Sequence, residues 1–216
     1  MKKRIVCFGD SNTWGYNPKT GTRYDENTRW TMRLQSMLGD EYQIIEEGQN
    51  GRTIACSDPW EWGTKCGMDY VLPMIETHNP FDVLIIMLGT NDMKSKFSLS
   101  PGDIAGSLQN MLMKIRSELK YYLNRPDLKI VVVSPIWLGE NMANSVFAEF
   151  FDACNGRAQS QKLADWYELV AKQFECGFVN AALLTEPSEV DSLHLTAEGH
   201  EAIAKCLFDK IIEITK

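Results

Sequence analysis

No apolar run in this 216-residue sequence is long enough to span a bilayer; the longest, Val83 to Leu88, stops at Gly89. The chain starts Met1-Lys2-Lys3-Arg4, but the apolar residues that follow end at Phe8, too soon for a signal peptide. A cytoplasmic protein without a membrane partner is therefore expected. An excess of positive charge is also missing. With 22 Lys and Arg against 29 Asp and Glu, the net charge of −7 disfavours a nucleic-acid partner, which needs a basic face. The 6 cysteines contain no Cys-x-x-Cys pair, and no histidine lies at zinc spacing near Cys56, Cys66, Cys154 or Cys176. Reduced thiols and no metal or other cofactor are expected, with Cys7 and Cys206 on core faces. No linker, low-complexity tract or repeat interrupts the chain, so residues 1–216 read as one domain.

Strand-like and helix-like segments alternate throughout, which places the chain in the α/β class. Five strands are predicted, at about Arg4 to Phe8, Tyr42 to Glu46, Val83 to Leu88, Lys129 to Ser134 and Gly177 to Asn180. The central runs are continuously apolar, the pattern of parallel strands covered on both faces. Ser100-Pro101-Gly102-Asp103 predicts a capped helix start, followed by an inner stripe at Ile104, Leu108, Met111, Leu112 and Ile115. Thr196 caps a last helix with Ile203, Leu207, Ile211 and Ile214 on its inner face. This alternation leaves several strand orders open. Three motifs of other α/β enzymes are absent: the Gly-x-Ser-x-Gly elbow, the Gly-x-x-x-x-Gly-Lys-Ser/Thr loop and the Gly-x-Gly-x-x-Gly turn.

Polar residues cluster where the apolar runs end. Gly9-Asp10-Ser11 closes the first run and presents Ser11 at the carboxyl edge of a sheet, either as a nucleophile or as an ordinary turn serine. A serine hydroxyl needs a base, and the base needs a carboxylate to orient it. Asp191-Ser192-Leu193-His194 supplies both from one loop. Among 3 histidines, His78 and His200 lie in helix-like segments and read as structural; His194 is either the base or a polar loop residue. Gly89-Thr90-Asn91-Asp92 closes the third run, so that Asn91 either donates to an oxyanion or makes an Asx turn. Asn50-Gly51, after the second run, is a turn whose glycine can offer an unobstructed backbone N–H.

Taken in order, the Ser, Gly, Asn and His blocks resemble the SGNH (GDSL-type) hydrolase superfamily. Gly9-Asp10-Ser11-Asn12-Thr13-Trp14-Gly15, Glu46-Glu47-Gly48, Met87 to Asp92 and Val132-Val133-Ser134-Pro135 are similar to its bacterial arylesterase/acyltransferase branch. The resemblance implies a three-layer α/β/α sandwich around a five-stranded parallel sheet in the flavodoxin-like order 2-1-3-4-5. It further implies Ser11 as nucleophile, His194 as base, Asp191 as its orienting carboxylate, and Gly51, Asn91 and the Ser11 N–H as oxyanion donors. Trp14, Lys94 and Phe97 match positions near the acyl and alcohol sites. Asn12 departs from the usual Leu after the serine and is expected to make the substrate pocket more polar.

The expected activity is hydrolysis of short, acetyl-type esters through an acyl-enzyme, with acyl transfer as a side activity. A carbohydrate O-acetyl esterase and a non-catalytic flavodoxin-like binding module are the alternatives. Two aromatic segments stand outside a minimal domain: 57–67, with Trp60 and Trp62, and 135–155, with Trp137, Phe147, Phe150 and Phe151. They serve to wall a pocket, to pack locally, or to join subunits, and a homo-oligomer is expected from them.

Overall fold

In a computed structural model describing residues 2–61, 65–151 and 155–215, five parallel strands form a sheet in the order β2-β1-β3-β4-β5. The strands are β1 (Lys3–Gly9), β2 (Tyr42–Gly48), β3 (Val83–Met87), β4 (Lys129–Ser134) and β5 (Gly177–Asn180). The helices are α1 (Ser11–Trp14), α2 (Trp30–Leu38), α3 (Gly67–His78), α4 (Pro101–Tyr121), α5 (Gly156–Gln173) and α6 (Ala197–Thr215). The order 2-1-3-4-5 is the flavodoxin-like one, with β1 and β3 adjacent where the winding reverses. Three predicted strand ends shift. The first two strands run on to Gly9 and Gly48, which are paired in register, and the third stops at Met87 because Leu88 turns its carbonyl to the Tyr167 hydroxyl at 2.9 Å.

Although the strands are apolar throughout, alternate residues serve different layers. Val6, Phe8, Leu84, Ile86, Ile130 and Val132 pack with Val71 and Ile75 of α3, the Ile104–Leu108–Met111–Leu112–Ile115 stripe of α4, and Leu163 of α5. Ile5, Cys7, Val83, Ile85, Val131 and Val133 pack on the opposite face with Trp30 and Leu34 of α2 and Ile203, Leu207 and Ile211 of α6. The start of α4 is a reciprocal capping box: the Ser100 hydroxyl accepts from the Asp103 N–H, and the Asp103 carboxylate accepts from the Ser100 N–H.

The two histidines outside the Asp191–His194 loop occupy structural positions. His78 ends α3 with its ring 2.6 Å from Glu47. His200 is fully buried, and its Nδ1 accepts the Trp30 N–H at 3.2 Å, joining α6 to the start of α2. Burial, helped by the charges of Arg29, Arg33 and His194, pushes the His200 pKa from 6.5 down to about 3. The folded protein thus keeps this ring neutral where an unfolded chain binds a proton, so stability is lost as pH falls from 6.5 toward 3. Each pH unit costs about 1.4 kcal/mol from this residue at most. His200→Asn, which keeps an acceptor but does not titrate, should therefore lose about 2 kcal/mol less than the native chain between pH 7.5 and pH 5.0. Urea unfolding at the two pH values measures the difference; equal losses would contradict this role for His200.

Candidate active site

The carboxyl edge of the sheet gathers the polar blocks. Asp10 follows β1 and caps α1, its Oδ1 accepting the Asn12 N–H at 2.9 Å, and Ser11 is the first residue of that single-turn helix. The turn ends at Gly15, which directs the chain back so that Tyr16 lies across the Asp191–His194 loop. The Ser11 Oγ is 2.9 Å from His194 Nε2, and His194 Nδ1 is 2.6 Å from Asp191 Oδ2, all three residues being buried. These contacts form one continuous relay.

The acid loop is held from several sides. Asp191 Oδ1 accepts the backbone N–H groups of Leu193 and His194 at 3.0 Å each, while the Ser145 hydroxyl donates to the Asp191 carbonyl at 2.6 Å. Burial alone raises the Asp191 pKa, but the His194 hydrogen bond and charge and the two backbone donors outweigh it and hold the pKa below the ordinary carboxylate value. Asp191 thus stays ionised beside the imidazole. The Tyr16 ring lies 4.2 Å from the His194 ring, and Phe147 meets it edge-on at 5.7 Å.

Gly51 and Asn91 come to the same cavity from the ends of β2 and β3. Gly51 has φ +79, a left-handed conformation that glycine adopts without steric cost. The Asn91 amide donates one hydrogen to the Arg52 carbonyl at 3.2 Å, which sets its orientation. Arg52 is itself buried: its guanidinium donates to the carbonyls of Gly9 and Glu47 and lies 4.3 Å over the Phe8 ring. Both oxygens of Asp92 accept the Ile54 N–H at 2.9 Å, so the loop carrying Gly51 is tied to the loop carrying Asn91. Burial pushes the pKa of Asp10 up to about 6 and that of Asp92 up to about 7, against the lowering effect of their hydrogen bonds.

The cavity over Ser11 has a volume of about 350 Å³. Its lining includes the apolar side chains of Tyr16, Phe147, Phe150 and Leu193 and the polar ones of Asn50, Glu61, Lys94 and Lys96. Lys94 is buried, with its ammonium 3.0 Å from Asp58 and 2.9 Å from Glu61; Lys96 also pairs with Asp58. The second aromatic segment thus walls the cavity and also packs locally, since Ile136, Leu138 and Phe151 are buried. Trp60 and Phe150 are exposed near its mouth, whereas Trp62 and Cys154 lie outside the described residues.

Of the expected substrate positions, Lys94 lines the cavity and three others do not. Trp14 packs under Arg23, whose guanidinium is 5.5 Å from its ring. Phe97 ends a 3-10 turn, Ser95–Phe97, and does not line the cavity, whereas Lys96 of the same turn does. Asn12, expected to make the pocket polar, is buried against the histidine loop instead. Phe147 was read only as one of the aromatics of segment 135–155, and Tyr16, Asp58 and Glu61 were not singled out in the sequence. The glycine before Tyr16 was the only local cue, because the partners of the other three are distant in the chain.

A model of the GDSL-like Lipase/Acylhydrolase family matches residues 7–202. The fold is similar to a carbohydrate acetylesterase from Sinorhizobium meliloti, at 32% identity and TM-score 0.89, covering 99% of this chain and 100% of that one. It is also similar to the native aryl esterase of M. smegmatis, at 32% identity and TM-score 0.89, covering 98% of this chain and 99% of that one. An acetylxylan esterase of Xylanibacter ruminicola is 27% identical over 116 residues, 54% of this chain and 22% of that protein. The chain thus matches about a fifth of that curated relative's length, 22%. With the family match running from within β1 into α6, the chain belongs to the GDSL-like lipase/acylhydrolase family.

Proposed function

We propose that the protein, acting as one SGNH hydrolase domain, is a serine esterase of short, acetyl-type esters. The observation that carries this reading is the relay from Asp191 through His194 to Ser11, with contacts of 2.6 Å and 2.9 Å at the floor of a cavity. Ser11 Oγ attacks the ester carbonyl carbon while His194 Nε2 takes its proton, and Asp191 stabilises the imidazolium. The tetrahedral oxyanion is met by donors from Gly51, Asn91 and the Ser11 N–H. Collapse expels the alkoxide, which His194 protonates, leaving an acyl-Ser11 ester. Water, activated by the same imidazole, then releases the acid; an alcohol in its place gives acyl transfer.

The small cavity with Tyr16 and Phe147 close to His194 supports a short acyl group. The polar lining residues Asn50, Glu61, Lys94 and Lys96 favour a second reading, a sugar acetate as substrate, because these groups can bind hydroxyls. The likeness to carbohydrate acetylesterases supports it as well. A homo-oligomer belongs to the same proposal, supported by Trp60, Val146 and Phe150 exposed on the two aromatic segments. Described helices include none long and apolar enough to cross a membrane.

A fluorophosphonate probe should label the native protein once, at Ser11, as read by peptide mapping. No label would favour a non-catalytic binding module. Acetyl esters should be turned over at least about tenfold faster than esters with chains of roughly eight carbons, since about 0.8 kcal/mol of burial per methylene does not offset a steric block. The reverse preference would overturn the short-acyl part.

A further inference from the structure

Asn12 follows the nucleophile directly, yet it does not line the cavity. Its side chain is spent on the opposite loop. Oδ1 accepts the Leu195 N–H at 2.9 Å, and Nδ2 donates to the Leu193 carbonyl at 3.5 Å, so one amide engages the backbone on both sides of His194. The residue is 5% exposed, and its own backbone is held twice. Its N–H goes to Asp10 Oδ1 at 2.9 Å, and its carbonyl accepts the Trp30 indole N–H at 3.1 Å. The amide is therefore an anchored bracket reaching across a sequence separation of more than 180 residues.

Other ties on this loop act within it or from elsewhere. Asp191 orients His194 from inside the loop, and Ser188 donates its N–H to the His194 carbonyl at 2.7 Å. Gly139 donates to the Ser192 carbonyl at 2.8 Å from the segment after β4. These hydrogen bonds hold the acid–histidine pair as a unit, and none of them starts from α1. The Asn12 bracket starts from α1 itself, the element that carries the nucleophile. It ties the distance between Ser11 and the His194 loop to the end of β1, where Asp10 caps α1.

We infer that Asn12 is a positioning residue that holds the His194 loop in register with Ser11, a role that rests on the esterase reading above. A protonated carboxylic acid has the shape and the donor–acceptor pair of a primary amide, whereas a carboxylate presents a second acceptor to the Leu193 carbonyl. Asn12→Asp should therefore rebuild the bracket only when protonated. Asn12→Ala and Asn12→Leu cannot rebuild it at any pH.

The test is steady-state kinetics on an aryl acetate from pH 5.5 to 8.5, with thermal unfolding of each variant. Asn12→Ala and Asn12→Leu should lose about 10- to 100-fold in kcat, the cost of a misplaced catalytic group. KM should change by less than about threefold, because no cavity contact is removed. The ratio of Asn12→Asp kcat to native kcat should rise as pH falls, while the Asn12→Ala ratio stays flat. Native kcat in Asn12→Leu, a loss confined to KM, or parallel pH profiles for the Asp and Ala variants would each overturn the inference. If Asn12→Ala does not fold, Asn12→Asp compared with the native protein across the same pH range gives the deciding readout. Failure of the esterase reading is distinct, since the native protein would then neither turn over the acetate nor take the fluorophosphonate label.

Discussion

Ser11→Ala is expected to reduce ester hydrolysis by a factor on the order of 10⁴ to 10⁶ in kcat while leaving the unfolding midpoint within about 2 °C of native. The substitution removes one hydroxyl whose contact is the His194 ring, and it takes no volume from either apolar cluster. α1 keeps its cap, because Asp10 accepts from the backbone of Asn12 rather than from the serine side chain. The proposed oxyanion donors and the cavity should give the residual rate, as they do when one member of such a relay is lost. Turnover of an aryl acetate, with protein purified away from host esterases, checks the loss. Retained activity would remove Ser11 from the mechanism, and loss accompanied by unfolding would leave only a structural role.

Gly48→Ala should act on the same site through the backbone. Gly48 ends β2 beside Gly9, and a Cβ there would sit 2.2 Å from the Trp14 N, 2.6 Å from its Cα and 2.7 Å from the Thr13 carbonyl carbon. All three atoms belong to the backbone of α1, so no side-chain rotation relieves the overlap. The helix that carries Ser11 must shift. Overpacking of this kind costs about 3 kcal/mol, which for a chain of this size lowers the unfolding midpoint by roughly 6 to 12 °C. A displacement near 1 Å of Ser11 should lower kcat about 100-fold. Gly106→Ala is the control: nothing lies within 4 Å of its added Cβ inside α4, and helix propensity favours alanine. Calorimetry and acetate turnover on the two variants measure both effects. A Gly48→Ala protein with native kcat would show that α1 is not seated by the end of β2.

What was legible in the sequence was local. Strand ends with polar turns, the Ser100–Asp103 capping box and the spacing of Asp191 and His194 are set by neighbours within a few residues, so they can be read along the chain. The polar blocks singled out at Ser11, Gly51, Asn91 and His194 do line one cavity, because each lies at or near the carboxyl edge of one parallel sheet. Alternation alone left the sheet order open, and the order 2-1-3-4-5 came from resemblance and then from the structure. The continuous apolar strands likewise did not say that Val6 and Phe8 serve one layer while Ile5 and Cys7 serve the other.

Side-chain destinations were the larger gap. Asn12 stands beside Ser11 in sequence and was expected in the substrate pocket, yet its amide bonds lead to residues more than 180 positions away. Tyr16 and Phe147 reach the His194 ring, and Asp58 captures Lys94, by the same kind of distant meeting. Such pairings carry no periodic or local signature; they exist only after the crossovers have stacked the loops at one sheet edge. The sequence therefore determined the element types, the capping and which polar residues stand at the strand ends, because those follow from short-range sterics and burial. Only the tertiary structure decided which polar groups meet across the cavity, because their hydrogen bonds depend on ångström-scale placement of segments far apart in the chain.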